Sequence, residues 1–373
     1  MTKRLMVVLG TRPEVIKLAP VIAAIRSKPD VFELVVCSTD QHREMLEQAF
    51  EVFGVIPDLR LNVMHAGQTL AELTVRLVSE LAPVLAGVKP DRLIVQGDTT
   101  TAFAAALCGY YERIPVAHVE AGLRSFNRYS PFPEEMNRRA IGGIADLHFA
   151  PTQGAADALL IEGVPHASIH VTGNTVVDAL RAVRDRLGGP ERATLLSDEA
   201  LGLAEGSVPL VMASCHRRES VGPDLEAICR ALLRIARGFS DVRIVFPVHL
   251  NPTIRGSVLS ALSGERNIRL VEPLSYPDML FLLSRARLVL TDSGGIQEEA
   301  PSFGVPVLVL RRHTERTEAI DAGLAVLVGP DEELIVKRAT EYLSAALPPP
   351  ASENPFGDGH AAERIVDILA RDT

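Results

Sequence analysis

Short β-branched and aliphatic runs alternate with helix-length amphipathic segments along nearly the whole chain, and this alternation limits the fold more than any other feature. Strands are expected at 5–9, 34–38, 92–96, 116–119, 147–150 and 169–172, then at 210–213, 243–248, 268–271, 288–291, 305–310 and 325–328. Between them lie segments such as 69–85, 224–236 and 332–343, whose apolar residues recur with the helical period. Strand and helix repeated in this way build parallel sheets covered by helices on both faces, a doubly wound α/β architecture.

Two such domains are expected from 373 residues. The helix at 176–187 runs into Gly188-Gly189-Pro190 and a loosely patterned stretch, and a new strand–helix series opens at 210. The division is therefore placed at 1–187 and 188–354. Prolines at 348–350 and 355 forbid a regular helix. The amphipathic segment 361–370 beyond them must dock somewhere, and 355–373 is assigned to the first domain.

The 47% hydrophobic content suffices for a sizeable core, and a net charge of −9 argues against a chain-wide nucleic-acid or membrane footprint. Local basic pockets remain compatible with that balance. No apolar run approaches the roughly 18 residues of a membrane span. The apolar run after Met1-Thr2-Lys3-Arg4 is too short for a signal peptide. Cys37, Cys108, Cys215 and Cys229 lie far apart, as reduced thiols do, and the cytoplasm is the expected compartment.

Doubly wound sheets bind ligands at the carboxyl ends of their strands. Unusual residues gather at those ends here. The first strand leads to Gly10-Thr11-Arg12-Pro13-Glu14 and then Lys17, which fits either a helix cap with two solvated cations or a grip on a diphosphate. Strand 92–96 leads to Gly97 and Asp98, and Asp98 fits the N-cap of the next helix as well as a site residue. Strand 116–119 leads to Glu120 at the same edge, and Glu134-Glu135 open a later helix. Carboxylates converging on one place repel one another, an arrangement suited to proton transfer or metal binding. No partner at i+4 completes a metal motif, so proton transfer is preferred and no metal is expected.

In the second half, strand 210–213 runs into Cys215-His216-Arg217-Arg218. Flanking arginines disfavour a charged histidine unless an anion is bound, although a lone exposed histidine is commonly inert. Strand 288–291 ends in Asp292-Ser293-Gly294-Gly295 and a helix containing Glu299. That turn fits phosphate on outward N–H groups with Glu299 near a ribose, and it equally fits an ordinary tight strand–helix turn.

Taken together, the segments GTRPEVIKLAP (10–20), QHREML (41–46), QGDTTT (96–101), HVEAGLR (118–124), SPFPEE (130–135), HRRES (216–220), PVHLNP (247–252), TDSGGIQEEAP (291–301) and NPFGDG (354–359) closely resemble the non-hydrolysing UDP-N-acetylglucosamine 2-epimerases, in order and over nearly the full length. The resemblance implies two Rossmann-like domains facing a cleft in the GT-B arrangement, with the last helix crossing back to the first. It also implies a cytoplasmic homodimer without metal or nicotinamide cofactor, acting on a UDP-amino sugar. The implied reaction eliminates UDP to leave 2-acetamidoglucal, then returns UDP with a proton on the opposite face of carbon 2. Asp98, Glu120, Glu134 and His216 match the family's catalytic residues. Arg12, Lys17, Ser293, Gly294, Gly295, Glu299 and Arg316 match its nucleotide or phosphate contacts. Gln41, His42 and Gln68 match positions associated with a second, activating substrate molecule. The chain departs from the family pattern at Thr317, where a proline is usual, at Cys215, at Asp40, and at Met279, near the uracil. These departures leave room for a related specialised UDP-amino sugar. The competing activities are a GT-B glycosyltransferase, a hydrolysing relative and a nucleotide-sugar sensor.

Overall fold

In the computed structural model, which describes residues 2–41, 43–65, 67–215, 222–345 and 353–372, the chain forms two compact units. The first is Met1–Arg181 with Phe356–Thr373, and the second is Ala182–Pro355. The division falls inside a helix, six residues before the glycine-rich break read in the sequence, because that helix starts in one unit and ends in the other.

Unit one runs β1 (Lys3–Leu9), α1 (Arg12–Arg26), β2 (Phe32–Ser38), α2 (Arg43–Phe53), β3 (Leu59–Arg60), α3 (Leu70–Val88), β4 (Arg92–Gln96), α4 (Thr100–Tyr111) and β5 (Val116–Val119). It continues through α5 (Glu134–Ile144), β6 (Leu147–Ala150), α6 (Gln153–Ile161), β7 (Ile169–Val171) and α7 (Thr175–Leu187). Its seven strands lie in the order β3-β2-β1-β4-β5-β6-β7, and the pairs are parallel. The chain winds outward one way from β1 and then the other way from β4. The switch point is between those two strands, where crevices form in such sheets.

The period-2 alternation of β1 covers both faces of the sheet. Leu5, Val7 and Leu9 join the core under α1, whereas Met6 and Val8 join the core with Leu73, Leu77, Leu81 and Leu85 of α3. Thr69 starts α3 through a reciprocal capping box with Glu72.

Unit two runs α8 (Arg192–Leu195), α9 (Asp198–Leu203), β8 (Leu210–Ser214), α10 (Pro223–Gly238), β9 (Arg243–Pro247), α11 (Pro252–Leu262) and β10 (Ile268–Val271). Then come α12 (Tyr276–Leu283), β11 (Ala286–Thr291), α13 (Gly294–Glu299), β12 (Val307–Val309), α14 (Thr317–Asp321), β13 (Ala325–Leu327) and α15 (Glu332–Ser344). Its six strands follow the same plan, β10-β9-β8-β11-β12-β13, with the switch between β8 and β11.

The last helix, α16 (Ala361–Arg371), belongs to unit one, as expected. Ala362, Ile365, Val366 and Leu369 complete the core formed by β1 and α1. Lys3 Nζ donates to the Leu369 carbonyl at 3.2 Å, placing a cation on carbonyls of the last turn. The expected doubly wound α/β class, with the last helix returning to the first unit, therefore stands. No helix among the described residues is long and apolar enough to cross a membrane.

The differences are local. β3 is only two residues long, too short to carry a periodic signal. The run at 305–310 contributes only Val307–Val309, because Pro306 has no N–H for a ladder.

Since Ile365 is fully buried on the returning helix, Ile365→Ala should lower unfolding free energy by about 3 kcal/mol. Urea unfolding would show this as an earlier midpoint.

Candidate active site

The strand registers bring Gly10, Gly97 and Glu120 level at the carboxyl edge of unit one. Gly10 has no room for a side chain, because a Cβ there would lie 2.1 Å from Thr39 Oγ1 and 2.6 Å from Thr101 Oγ1. Gly97 turns the chain at φ +70°. His118 holds that turn with Nε2 donating to the Gly97 carbonyl at 2.7 Å. Burial pushes the His118 pKa down to about 3, so the ring is neutral and the nitrogen facing the carbonyl carries its proton.

Glu120 is a non-glycine residue in left-handed backbone, φ +62°. Such conformations cost about 1–3 kcal/mol and persist only where surrounding structure imposes them. The Glu120 side chain is 6% exposed, and donors from among the described residues surround it. Lys17 Nζ forms an ion pair with Oε1, Gln96 Nε2 donates to Oε2, and Asn174 Nδ2 donates to Oε1 at 2.9 Å.

Asp98 follows directly after Gly97. The sequence offered it as the N-cap of α4, but Thr99 takes that role, its hydroxyl accepting from Ala102 N at 3.0 Å. The Asp98 carboxylate instead pairs with Arg138, and Asn137 Nδ2 donates to the Asp98 carbonyl at 2.9 Å. Both partners lie on α5, one turn beyond Glu134, which is half-buried at the start of that helix. Helical spacing puts Glu134 and Arg138 on the same face. The neighbouring Glu135 is fully buried and accepts from Ser125 N at 2.9 Å and Phe126 N at 3.2 Å, so it fixes the loop before α5.

The expected diphosphate grip looks different in the structure. Arg12 is half-buried at the first position of α1, whereas Lys17 is buried and engaged with Glu120. A buried ammonium needs an anion within reach, and Glu120 is that anion.

Glu14 was not singled out from the sequence. It is fully buried and accepts from Gly10 N at 3.0 Å, Thr11 N at 2.8 Å and Thr99 Oγ1 at 2.8 Å, bridging the loops after β1 and β4. Burial outweighs those bonds and pushes its pKa up to about 7. Asn174 was also missed. Position relative to a strand end was the available signal, since it follows β7 at the same sheet edge.

Gln41 lies beside this cluster, its N–H on the Gly10 carbonyl at 3.1 Å and its Oε1 accepting from Thr101 at 3.3 Å. Gln68 is half-buried in the loop before α3. Asp40 is buried at φ +52° with Ser38 donating to it, which accounts for a residue the family pattern does not expect. His42 and His216 lie outside the described residues.

In unit two, the Ser214 and Thr291 hydroxyls meet at 2.7 Å across the β8/β11 switch. Ser293 precedes α13, and its N–H donates to Thr291 Oγ1 at 2.9 Å. Gly294 has a specific reason to be glycine, since a Cβ would lie 2.4 Å from the Arg316 guanidinium carbon. Arg316 is thereby laid over the first turn of α13. Its Nε donates to Glu298 Oε1 at 2.7 Å, and its NH1 pairs with Glu315. Arg311 also holds Glu315, at 2.8 Å. Arg316 is thus held by two carboxylates, Glu298 and Glu315, and Glu299, the next residue of α13, is also buried. Gly295 is open on its outer side.

Met279 is buried in α12, and Cys215 is buried directly after β8. Thr317 takes the first position of α14, where the usual proline would also fit. Among the described residues, no group of three or more His, Cys, Asp and Glu side chains is placed to hold a metal.

Two doubly wound units, one with a caged glutamate at the carboxyl edge of its sheet and one with a glycine–arginine turn, define an α/β enzyme of the nucleotide-handling class. The sequence model of the UDP-N-acetylglucosamine 2-epimerase family matches residues 23–370. The chain is 48% identical over 371 residues to the UDP-N-acetylglucosamine 2-epimerase of Yersinia pestis, covering 98% of both chains. It is 46% identical over 369 residues to that of Escherichia coli (strain K12), again covering 98% of both. The crystal structure of UDP-GlcNAc 2-epimerase from Neisseria meningitidis bound to UDP-GlcNAc superposes with a TM-score of 0.94 at 41% identity, covering 99% of this chain and 100% of that one. The chain belongs to the UDP-N-acetylglucosamine 2-epimerase family, and its activity is that family's isomerisation.

Gly294→Ala should push the guanidinium off Glu298 and lower unfolding free energy by on the order of 2 kcal/mol, as loss of a hydrogen bond to a buried charge does. Guanidinium chloride unfolding would measure the loss, and an unchanged midpoint would mean that Arg316 relocates at no cost.

Proposed function

We propose that the chain interconverts UDP-N-acetylglucosamine and UDP-N-acetylmannosamine by elimination and re-addition of UDP, with Asp98, Glu120 and Glu134 carrying the proton chemistry. The hydrogen on carbon 2 is not adjacent to a carbonyl, so direct deprotonation is too difficult. In elimination a carboxylate takes that proton, the C–H electrons form the carbon 1–carbon 2 double bond, and the carbon 1–oxygen pair leaves with UDP. Re-addition reverses the bond changes and delivers a proton to the opposite face of carbon 2. Atoms and charge balance, and no oxidant is required. The observation that carries this reading is the Glu120 carboxylate, held by Lys17, Gln96 and Asn174 beside the Gly97–Asp98 turn. A group so held is pre-oriented for proton transfer.

His216 enters by its place in the HRRES motif. Ser293, Gly294, Gly295, Glu299 and Arg316 are assigned to the nucleotide and its phosphates, with Met279 near the base and Arg12 on the diphosphate. Lys17 is assigned with Arg12 to the diphosphate by its place in the motif, and its ion pair with Glu120 also holds that carboxylate in place. Gln41, His42 and Gln68 are proposed to receive an activating second substrate molecule, and a homodimer is proposed as the working form. Val75, Tyr110 and Tyr111, exposed on α3 and α4, are apolar side chains that a subunit contact would cover.

The protein incubated with UDP-N-acetylglucosamine in deuterated water should yield UDP-N-acetylmannosamine deuterated at carbon 2, without an acceptor, as followed by NMR. Free N-acetylmannosamine would indicate hydrolysis, and inertness without an acceptor would indicate a transferase or sensor. Asp98→Asn and Glu120→Gln should each cut turnover by about 100-fold or more, and near-normal rates in both would refute their roles. If a second substrate molecule activates, the rate should rise sigmoidally with UDP-N-acetylglucosamine, and a hyperbolic curve in both directions would remove that site.

A further inference from the structure

Asn174 is buried between β7 and α7, and four hydrogen bonds converge on it, one of them from Val177 N–H to its carbonyl at 3.1 Å. Its Oδ1 accepts from Val176 N at 3.1 Å, an N-cap bond on α7. Its Nδ2 donates to Glu120 Oε1 at 2.9 Å. Its backbone N–H donates to the Phe356 carbonyl at 2.7 Å. The cap fixes the amide orientation, because only the oxygen can accept from Val176, and the NH₂ group must then face Glu120.

These bonds sit where both covalent connections of unit one meet. The chain leaves the unit along α7, after Arg181, and re-enters it at Phe356. The two passages cross backbone to backbone, and a Cβ on Gly357 would lie 3.4 Å from both Asn174 N and Gly173 Cα. Gly173 and Gly357 have φ of +88° and +140°, values that tolerate little but glycine.

An aspartate would cap α7 as well as asparagine does. Capping therefore explains the oxygen but not the NH₂ group. Lys17 supplies charge to Glu120, and Asn174 supplies direction without charge, from a backbone tied to both connections.

We infer that Asn174 is the positioning residue for Glu120: it fixes the carboxylate from the junction where the chain leaves and re-enters unit one. This rests on the reading of Glu120 as a proton-transfer group. Serine at this position keeps a cap but does not reach Glu120, whereas aspartate keeps shape and cap but turns a donor into an acceptor.

The test uses the full-length protein and the epimerisation assay. Asn174→Ser should lower kcat at least tenfold, with KM and the UDP dissociation constant within about twofold, as loss of an interaction confined to the chemical step does. Its Tm should stay within about 3 °C of wild type, roughly the shift that 1 kcal/mol makes in a unit of this size. Asn174→Asp should lower kcat further and also lower Tm, because two carboxylates then meet. Adding Glu120→Gln to Asn174→Asp should recover that Tm, since the amide and carboxylate have simply changed places. Wild-type kcat in both single variants would overturn the inference, as would a parallel fall in kcat, KM behaviour and Tm, which marks a cap alone. Failure of Glu120→Gln to recover the Asn174→Asp Tm would also overturn it. Near-normal turnover in Glu120→Gln itself would instead sink the reading of Glu120, and the Tm comparison would still report on the contact.

Discussion

The arrangement in unit one depends on a carboxylate being kept out of water. Removing a charge from solvent without partners costs several kcal/mol, and in practice the group is paired or it protonates. Glu120 is paired with a lysine from α1, an amide from the end of β4 and an amide from the start of α7. Each comes from a different element, so these three elements must meet at one sheet edge for the charge to be tolerated. The positive φ of Glu120 is then a conformation imposed by its cage.

Unit two solves the opposite problem with the same means. The cation Arg316 is buried, and the acids Glu298 and Glu315 hold it, over a glycine whose missing side chain makes the space. A guanidinium held in this way keeps its plane, which suits recognition of an oxyanion with two oxygens in reach. In unit one the arrangement follows β5, one strand beyond the switch pair, and in unit two it follows β11, a member of the switch pair; both lie at the carboxyl edge of a parallel sheet.

Much of this was legible from residue pattern. The alternation of strand and helix gave the layers, and strand ends such as Gly97-Asp98, Glu120 and Ser293-Gly294 pointed to the edges where unusual groups lie. What stayed hidden depended on pairing through space. Lys17 was legible as a cation at a strand end, but sequence does not show the acid it pairs with. Asp98 left the cap and site readings open, because the true cap, Thr99, is its neighbour and equally suited by type. Glu14 and Asn174 read as ordinary polar residues of a helix start, and only burial distinguishes them. β3 escaped because two residues cannot display a period.

The placement of α16 has a consequence for biogenesis. Ile365, Val366 and Leu369 fill the core formed by β1 and α1, more than 300 residues earlier in the chain. A ribosome delivers those early strands first and the helix that seals them last. Throughout translation of unit two, the nascent first unit must therefore hold an open hydrophobic groove, and this enzyme should lean on chaperone shelter during synthesis more than its tidy strand order would imply.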